Sequence, residues 1–150
     1  MPIASLETPV GMLSVEERDG AIVSVKWSNA GQARSTLLDA ALEQLRAYFA
    51  GELQGFDLPL QVQGSDFQRA VCDAMSAIPF GETRTYGEIA RDLGGAAQSV
   101  GNACGANPIP VIIPCHRVLG ATGLGGFSGA GGVETKVVLL KHEGAAGLLI

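Results

Sequence analysis

Membrane-length apolar runs, paired cysteines, zinc-type spacings and an excess of positive charge are all missing from this chain of 150 residues. Without a long apolar run there is no candidate membrane span. The opening MPIASLETPVG has neither a basic flank nor a long apolar segment, which predicts no secretory leader and a cytoplasmic location. Three cysteines are an odd number, with no C-x-x-C pair and with His116 and His142 as the two histidines. A disulfide framework and a structural zinc site are therefore not expected, and no metal or cofactor is predicted. The net charge is −5. Residues 1–63 carry 4 basic and 8 acidic side chains, and residues 64–150 carry 6 and 7. Such a balance gives no broad attraction to phosphates, so any nucleic-acid role has to rest on shape and local groups.

What is present reads as a globular chain, 47% hydrophobic and 17% charged, long enough for one medium domain or two small ones. GMLSVEE (11–17) and AIVSVKW (21–27), separated by Arg18-Asp19-Gly20, predict a β-hairpin. Residues 33–51 follow with Leu37, Leu38, Ala41, Leu42, Leu45 and Phe49 at helical spacing and Gly51 as a stop. Residues 52–64 show no period and read as a connection, dividing the chain into an α/β unit at 1–63 and a second unit at 64–150.

The second unit opens with Ser65 and Gln68 in a capping-box pattern, before an apolar face of Phe67, Val71, Ala74, Met75 and Ile78 that ends at Pro79. Thr85 and Glu88 repeat that pattern ahead of YGEIARDL (86–93). After Gly94-Gly95 comes AAQSVGNACGA (96–106), a helix made almost wholly of small side chains; two short helices about a glycine turn form a helix-turn-helix pattern. Val100 and Cys104 can face the core, leaving Ala96, Ala97, Ser99 and Asn102 as a slim outer face. Close packing against a neighbour explains that slimness, and so does entry into a narrow DNA groove.

VIIPCHRV (111–118) reads as a buried strand with a polar end, followed by a glycine-dense loop (119–132) and a closing helix (133–144) with Val137, Val138 and Leu140 among its apolar residues and Gly144 at its end. Cys115 beside His116 places a thiol next to a base, directly or through water, and a thiolate is the reactive form. The alternative for Cys115 is a small buried hydrophobe. Glu143 is a candidate orienter of His116, or else a solvent-facing helix residue. Arg117 is assigned a bracing role, Asn107 a turn role that can bridge to the cysteine turn, and Tyr86 either core packing or proton donation in a pocket. Cys72 and Cys104 read as packed thiols.

NPIPVIIPCHRV (107–118) resembles the active-site signature of the O6-alkylguanine-DNA alkyltransferases, also called methylated-DNA–protein-cysteine methyltransferases. FQRAVCDAMSAIPFGETRTYGEIA (67–90), SVGNACGANP (99–108), GGFSG (125–129) and KVVLLKHEG (136–144) match in the same order, and residues 8–27 are similar to the variable first domain. The resemblance implies a small ribonuclease H-like α/β domain (1–63) followed by a winged helix-turn-helix domain (64–150). It implies a monomer that binds double-stranded DNA through the minor groove and flips an O6-alkylguanine out of the stack. Cys115 would accept the alkyl group irreversibly, once per molecule; O4-alkylthymine is left open as a second lesion. His116 would deprotonate Cys115, Glu143 orient His116, Tyr86 protonate the leaving guanine and Asn107 stabilise the cysteine turn. Backbone groups of Cys115, Val118 and Ser128 would read the guanine edge beside Phe127. Ala96, Ala97, Gln98, Ser99, Gly101 and Asn102 would meet DNA. Two departures stand out. Gln98 occupies the place of an arginine that fills the gap left by the flipped base, and Phe127 that of a common tyrosine.

Overall fold

Alternation of apolar and small polar residues builds a three-stranded antiparallel sheet from β1 (Ile3–Thr8), β2 (Gly11–Arg18) and β3 (Ala21–Lys26), in that order. The computed structural model describes residues 2–127, 129 and 131–145. The predicted hairpin is the β2–β3 pair, closed through Asp19 and Gly20 at positive φ. The strand β1 was not predicted. Its register sets Ala4 against Val15 and Leu6 against Leu13, all four buried. Ser5 and Ser14 on the opposite face are also buried, with their hydroxyls 2.7 Å apart and Ser14 donating to the Ser28 carbonyl at 2.7 Å. Serines that are satisfied by one another behave as core residues, so the polar half of the pattern carried no exposure signal.

Helix α1 (Thr36–Phe49) starts three residues later than the apolar pattern suggested, because Ser35 caps it by accepting from the Leu38 amide at 3.0 Å. It buries Leu38, Ala41, Leu45 and Tyr48, of which each large side chain contributes about 1.5–3 kcal/mol through lost water contact. The connection that follows is not a free linker. Ile22 donates to the Pro59 carbonyl and accepts from the Gln61 amide, so residues 59–61 cover the open edge of β3.

Helix α2 (Asp66–Ser76) is capped by Ser65, but the expected reciprocal box is half made. The Gln68 side chain reaches the Ala103 carbonyl at 2.8 Å instead of turning back to the Ser65 backbone. The box at Thr85 and Glu88 is complete and opens α3 (Tyr86–Leu93), preceded by the two-residue strand β4 (Arg84–Thr85). Gly94 in the left-handed conformation leads to α4 (Ala97–Gly105), which buries Val100, Ala103 and Cys104.

The predicted strand at 111–118 is not one. Pro110 and Pro114 have no amide to donate, and Val111 sits at φ 71. The chain folds instead into successive tight turns, with the Ile113 amide on the Ile109 carbonyl and the Cys115 amide on the Ile113 carbonyl, both at 2.8 Å. Cys115–Arg117 forms a single 3-10 turn, followed by β5 (Val118–Leu119), which pairs in parallel with β4. Helix α5 (Val133–Glu143) closes the described chain and ends at Gly144. It turns Lys136, Leu139, Leu140 and Glu143 inward, while Val138 is 44% exposed. Buried apolar residues from β1 to α5 form a single cluster, so the two halves share a core. Among the described residues, no helix is long and apolar enough to cross a membrane.

Candidate active site

The tight turns after Asn107 deliver Cys115 to the floor of a cavity of about 410 Å³, lined by Tyr86, Gly101, Cys104, Gly105, Cys115, Gly126 and Phe127. Asn107 holds the turn from both sides. Its amide nitrogen donates to the Ile113 carbonyl at 2.9 Å and its oxygen accepts from the Ile109 amide at 3.0 Å. Burial pushes the Cys115 thiol up to about 11, with Asn107 and the Lys136 charge pulling the other way. At pH 7 only about one molecule in ten thousand would then hold a thiolate, so reaction depends on a base that takes the proton.

His116 follows directly on the same turn and is fully buried. Its Nε2 lies 2.7 Å from Glu143 Oε2. Burial would raise the Glu143 carboxyl, but hydrogen bonds from His116, Arg117 and Tyr48 hold it down at about 2. Burial also lowers the His116 imidazole against the pull of Glu143. An ionised carboxylate opposite Nε2 fixes the proton on that nitrogen. The basic lone pair is therefore on Nδ1, which is buried and has no protein hydrogen-bond partner. A neutral imidazole held in this tautomer is prepared to accept a proton.

Glu143 is thus not solvent-facing. Arg117 grips it with Nε at 2.8 Å and Nη2 at 2.9 Å, and its Nη1 donates to the Ile78 carbonyl at 2.6 Å. A paired, planar grip of this kind suits arginine and makes Arg117 the brace expected of it. Two residues that the sequence did not single out complete the site. The Tyr48 hydroxyl, from α1, donates to Glu143 Oε2 at 2.6 Å. The Lys136 ammonium donates to the Val118 carbonyl at 2.6 Å and the Gly126 carbonyl at 3.0 Å. Tyr48 looks like ordinary core in its helix, and Lys136 like a surface charge, so spacing carried no sign of either. The two meet the site only through contacts between distant segments.

Tyr86 lines the cavity at the first turn of α3. Burial and the nearby Cys104 push its phenol up, against a hydrogen bond from the Gly126 backbone, so it stays protonated as a donor. Cys104 is packed in the core as expected and is also a second thiol of the cavity wall, pushed up to about 12 chiefly by burial. Phe127 is half-buried in the wall. Val118 is buried, its amide bonded to the Cys115 carbonyl and its own carbonyl held by Lys136. Ser128 lies outside the described residues. On α4, Ala96, Ala97, Gln98, Ser99 and Asn102 are exposed, whereas Gly101 turns toward the cavity.

These features bring together one buried cysteine, a buried imidazole paired with an ion-paired carboxylate, and a cavity of small-molecule size in front of the thiol. The family model for the 6-O-methylguanine DNA methyltransferase DNA-binding domain matches residues 66–145. A methylated-DNA–protein-cysteine methyltransferase of Methanosarcina acetivorans is 53% identical, covering 97% of this chain and 99% of its own. One of Mycolicibacterium paratuberculosis is 45% identical, covering 93% and 90%. Among solved structures, Mycobacterium tuberculosis OGT in complex with DNA superposes with a TM-score of 0.84 at 41% identity, over 97% of this chain and 96% of that one. The chain belongs to the methylated-DNA–protein-cysteine methyltransferase family.

Proposed function

We propose that this chain repairs DNA by direct reversal, moving the alkyl group of an O6-alkylguanine in double-stranded DNA to Cys115, once per molecule. The observation that carries the reading is the Cys115 thiol on the cavity floor, followed on one turn by His116 in the tautomer that Glu143 selects. His116 Nδ1 takes the thiol proton, directly or through one water. The sulfur attacks the alkyl carbon in line, a carbon–sulfur bond forms, and the carbon–O6 bond breaks with its electron pair passing to the guanine. Tyr86 gives the leaving base a proton and is recharged from His116. The net change is one alkyl group from oxygen to sulfur and one proton from sulfur to guanine. A thioether has no easy leaving path, so the protein is consumed.

The base reaches the cavity by leaving the stack, and the exposed small side chains of α4 allow that helix into the minor groove. Gln98 fills the gap with a neutral amide. We assign residues 1–63 to a ribonuclease H-like domain and 64–150 to a winged helix-turn-helix domain; the helix pair α3–α4 and the family match from residue 66 support that division. The protein acts as a cytoplasmic monomer: among the described residues the exposed large hydrophobic side chains are Val133 and Val138 alone, too few for a lasting interface. Cys115→Ala tests the reading. With a duplex carrying one radiolabelled O6-methylguanine, the variant is expected to bind with unchanged affinity and acquire no label. Label acquired at the wild-type level would place the acceptor elsewhere.

A further inference from the structure

The cavity in front of Cys115 is built from the second half of the chain, yet its wall leans on a residue from the first. Phe127 meets Trp27 edge-on, with ring centroids 5.9 Å apart and planes at 90°. Trp27 is itself fixed, since its indole N–H donates to the Val10 carbonyl at 3.0 Å. Two residues before it, the Val25 amide donates to the Pro108 carbonyl at 3.0 Å, tying β3 to the segment that leads into the cysteine turn. Gly129 passes between the rings so closely that a Cβ there would lie 2.4 Å from the Phe127 ring and 2.6 Å from the Trp27 ring. Gly125, at φ +71, is pressed in the same way, a Cβ there falling 2.7 Å from the Tyr86 hydroxyl.

The loop that carries Phe127 has glycine at 120, 123, 125, 126, 129, 131 and 132. Such a segment gains little order from its own backbone, so its position is set by outside contacts. Tyr86 and Lys136 hold Gly126 from inside the cavity. The Trp27 indole bears on Phe127 from outside.

We propose that Trp27 is a positioning residue for alkyl transfer: through Phe127 it sets the width of the cavity, and so which alkyl groups are held in line with Cys115. This rests on the alkyl-transfer reading above. A small methyl group needs the wall close for in-line placement, whereas a benzyl group makes its own contacts and tolerates a wall that has moved back.

The test uses the full chain as wild type, Trp27→Ala and Trp27→Phe, with duplexes carrying either O6-methylguanine or O6-benzylguanine. Because each molecule reacts once, the amplitude counts folded molecules and the rate reads the cavity. Trp27→Ala is expected to keep full amplitude, to lose about tenfold in methyl transfer rate, and to leave the benzyl rate unchanged or raised. Trp27→Phe should shift the benzyl-to-methyl ratio in the same direction by roughly threefold, and decides the matter if the alanine variant does not fold. Equal slowing on both substrates, or an unchanged ratio in both variants, overturns the proposal. Absence of transfer by the wild type from both duplexes overturns the alkyl-transfer reading, and this inference with it.

Discussion

Replacing Glu143 by glutamine removes the negative charge that His116, Arg117 and Tyr48 share, while keeping nearly the same volume. Glutamine offers one carbonyl where the carboxylate accepted from three side chains, and Arg117 is left buried and unneutralised. The carboxyl titrates at about 2 in the fold against an ordinary 4.5, which corresponds to about 3 kcal/mol of stability at neutral pH. Breaking a buried ion pair from one side costs about 3–5 kcal/mol, in agreement. In a chain of this length each kcal/mol moves Tm by about 2–4 °C, so the variant should melt about 10 °C lower at pH 7. The sign of the pH dependence follows from the lowered carboxyl. Its stabilisation is complete above 4.5 and is lost as pH falls toward 2. His116, also lowered, adds destabilisation in acid as the unfolded imidazole charges below its ordinary 6.5. Wild type and variant should therefore differ most near neutrality and converge in acid, as read by thermal unfolding at pH 7 and at low pH. Single-turnover transfer should also slow by about a hundredfold, since the base loses its orienting partner. Equal melting at pH 7, or a gap that stays constant as pH falls, would refute the reasoning.

Tyr48→Phe removes one hydrogen bond to a buried carboxylate and should cost about 1.5–3 kcal/mol in urea unfolding, with a smaller loss of transfer rate than Glu143→Gln; unchanged stability would mean that the 2.6 Å contact is idle. Lys136→Met removes a charge that lowers the Cys115 thiol, so the midpoint of Cys115 alkylation by iodoacetamide should move to higher pH, and a midpoint that stays or falls contradicts the assignment. Gln98→Arg should tighten duplex binding or speed repair, read by duplex titration and single-turnover transfer; no change in either would mean that another residue fills the gap left by the flipped base.

The local part of this structure was legible in the sequence. Ser65 and Thr85 cap their helices because a hydroxyl ahead of an apolar period has one good use, whereas the apolar period alone missed the Ser35 cap and began α1 too early; the pairing of His116 with Glu143 was also legible, as a candidate. What stayed hidden depends on partners far along the chain. VIIPCHRV has the composition of a strand, and only the two prolines and the left-handed Val111 show that a ladder cannot form there. Strand β1 was masked by Ser5, whose burial is explained by Ser14 nine residues away. Tyr48 and Lys136 gave no signal, because α1 meets Glu143 across 95 residues and α5 buries a lysine whose ammonium donates to backbone carbonyls of Val118 and Gly126.

The central claim is that Cys115 itself receives the alkyl group, and peptide mass tests it most directly. After incubation with a duplex holding one O6-methylguanine, trypsin releases a peptide running from Asp92 to Arg117, which contains both cavity thiols, Cys104 and Cys115. A stoichiometric gain of one methylene mass is expected in that peptide, placed on Cys115 by fragmentation, with guanine restored in the DNA. A gain placed on Cys104, or an unmodified peptide from protein fully bound to the lesion, would contradict it.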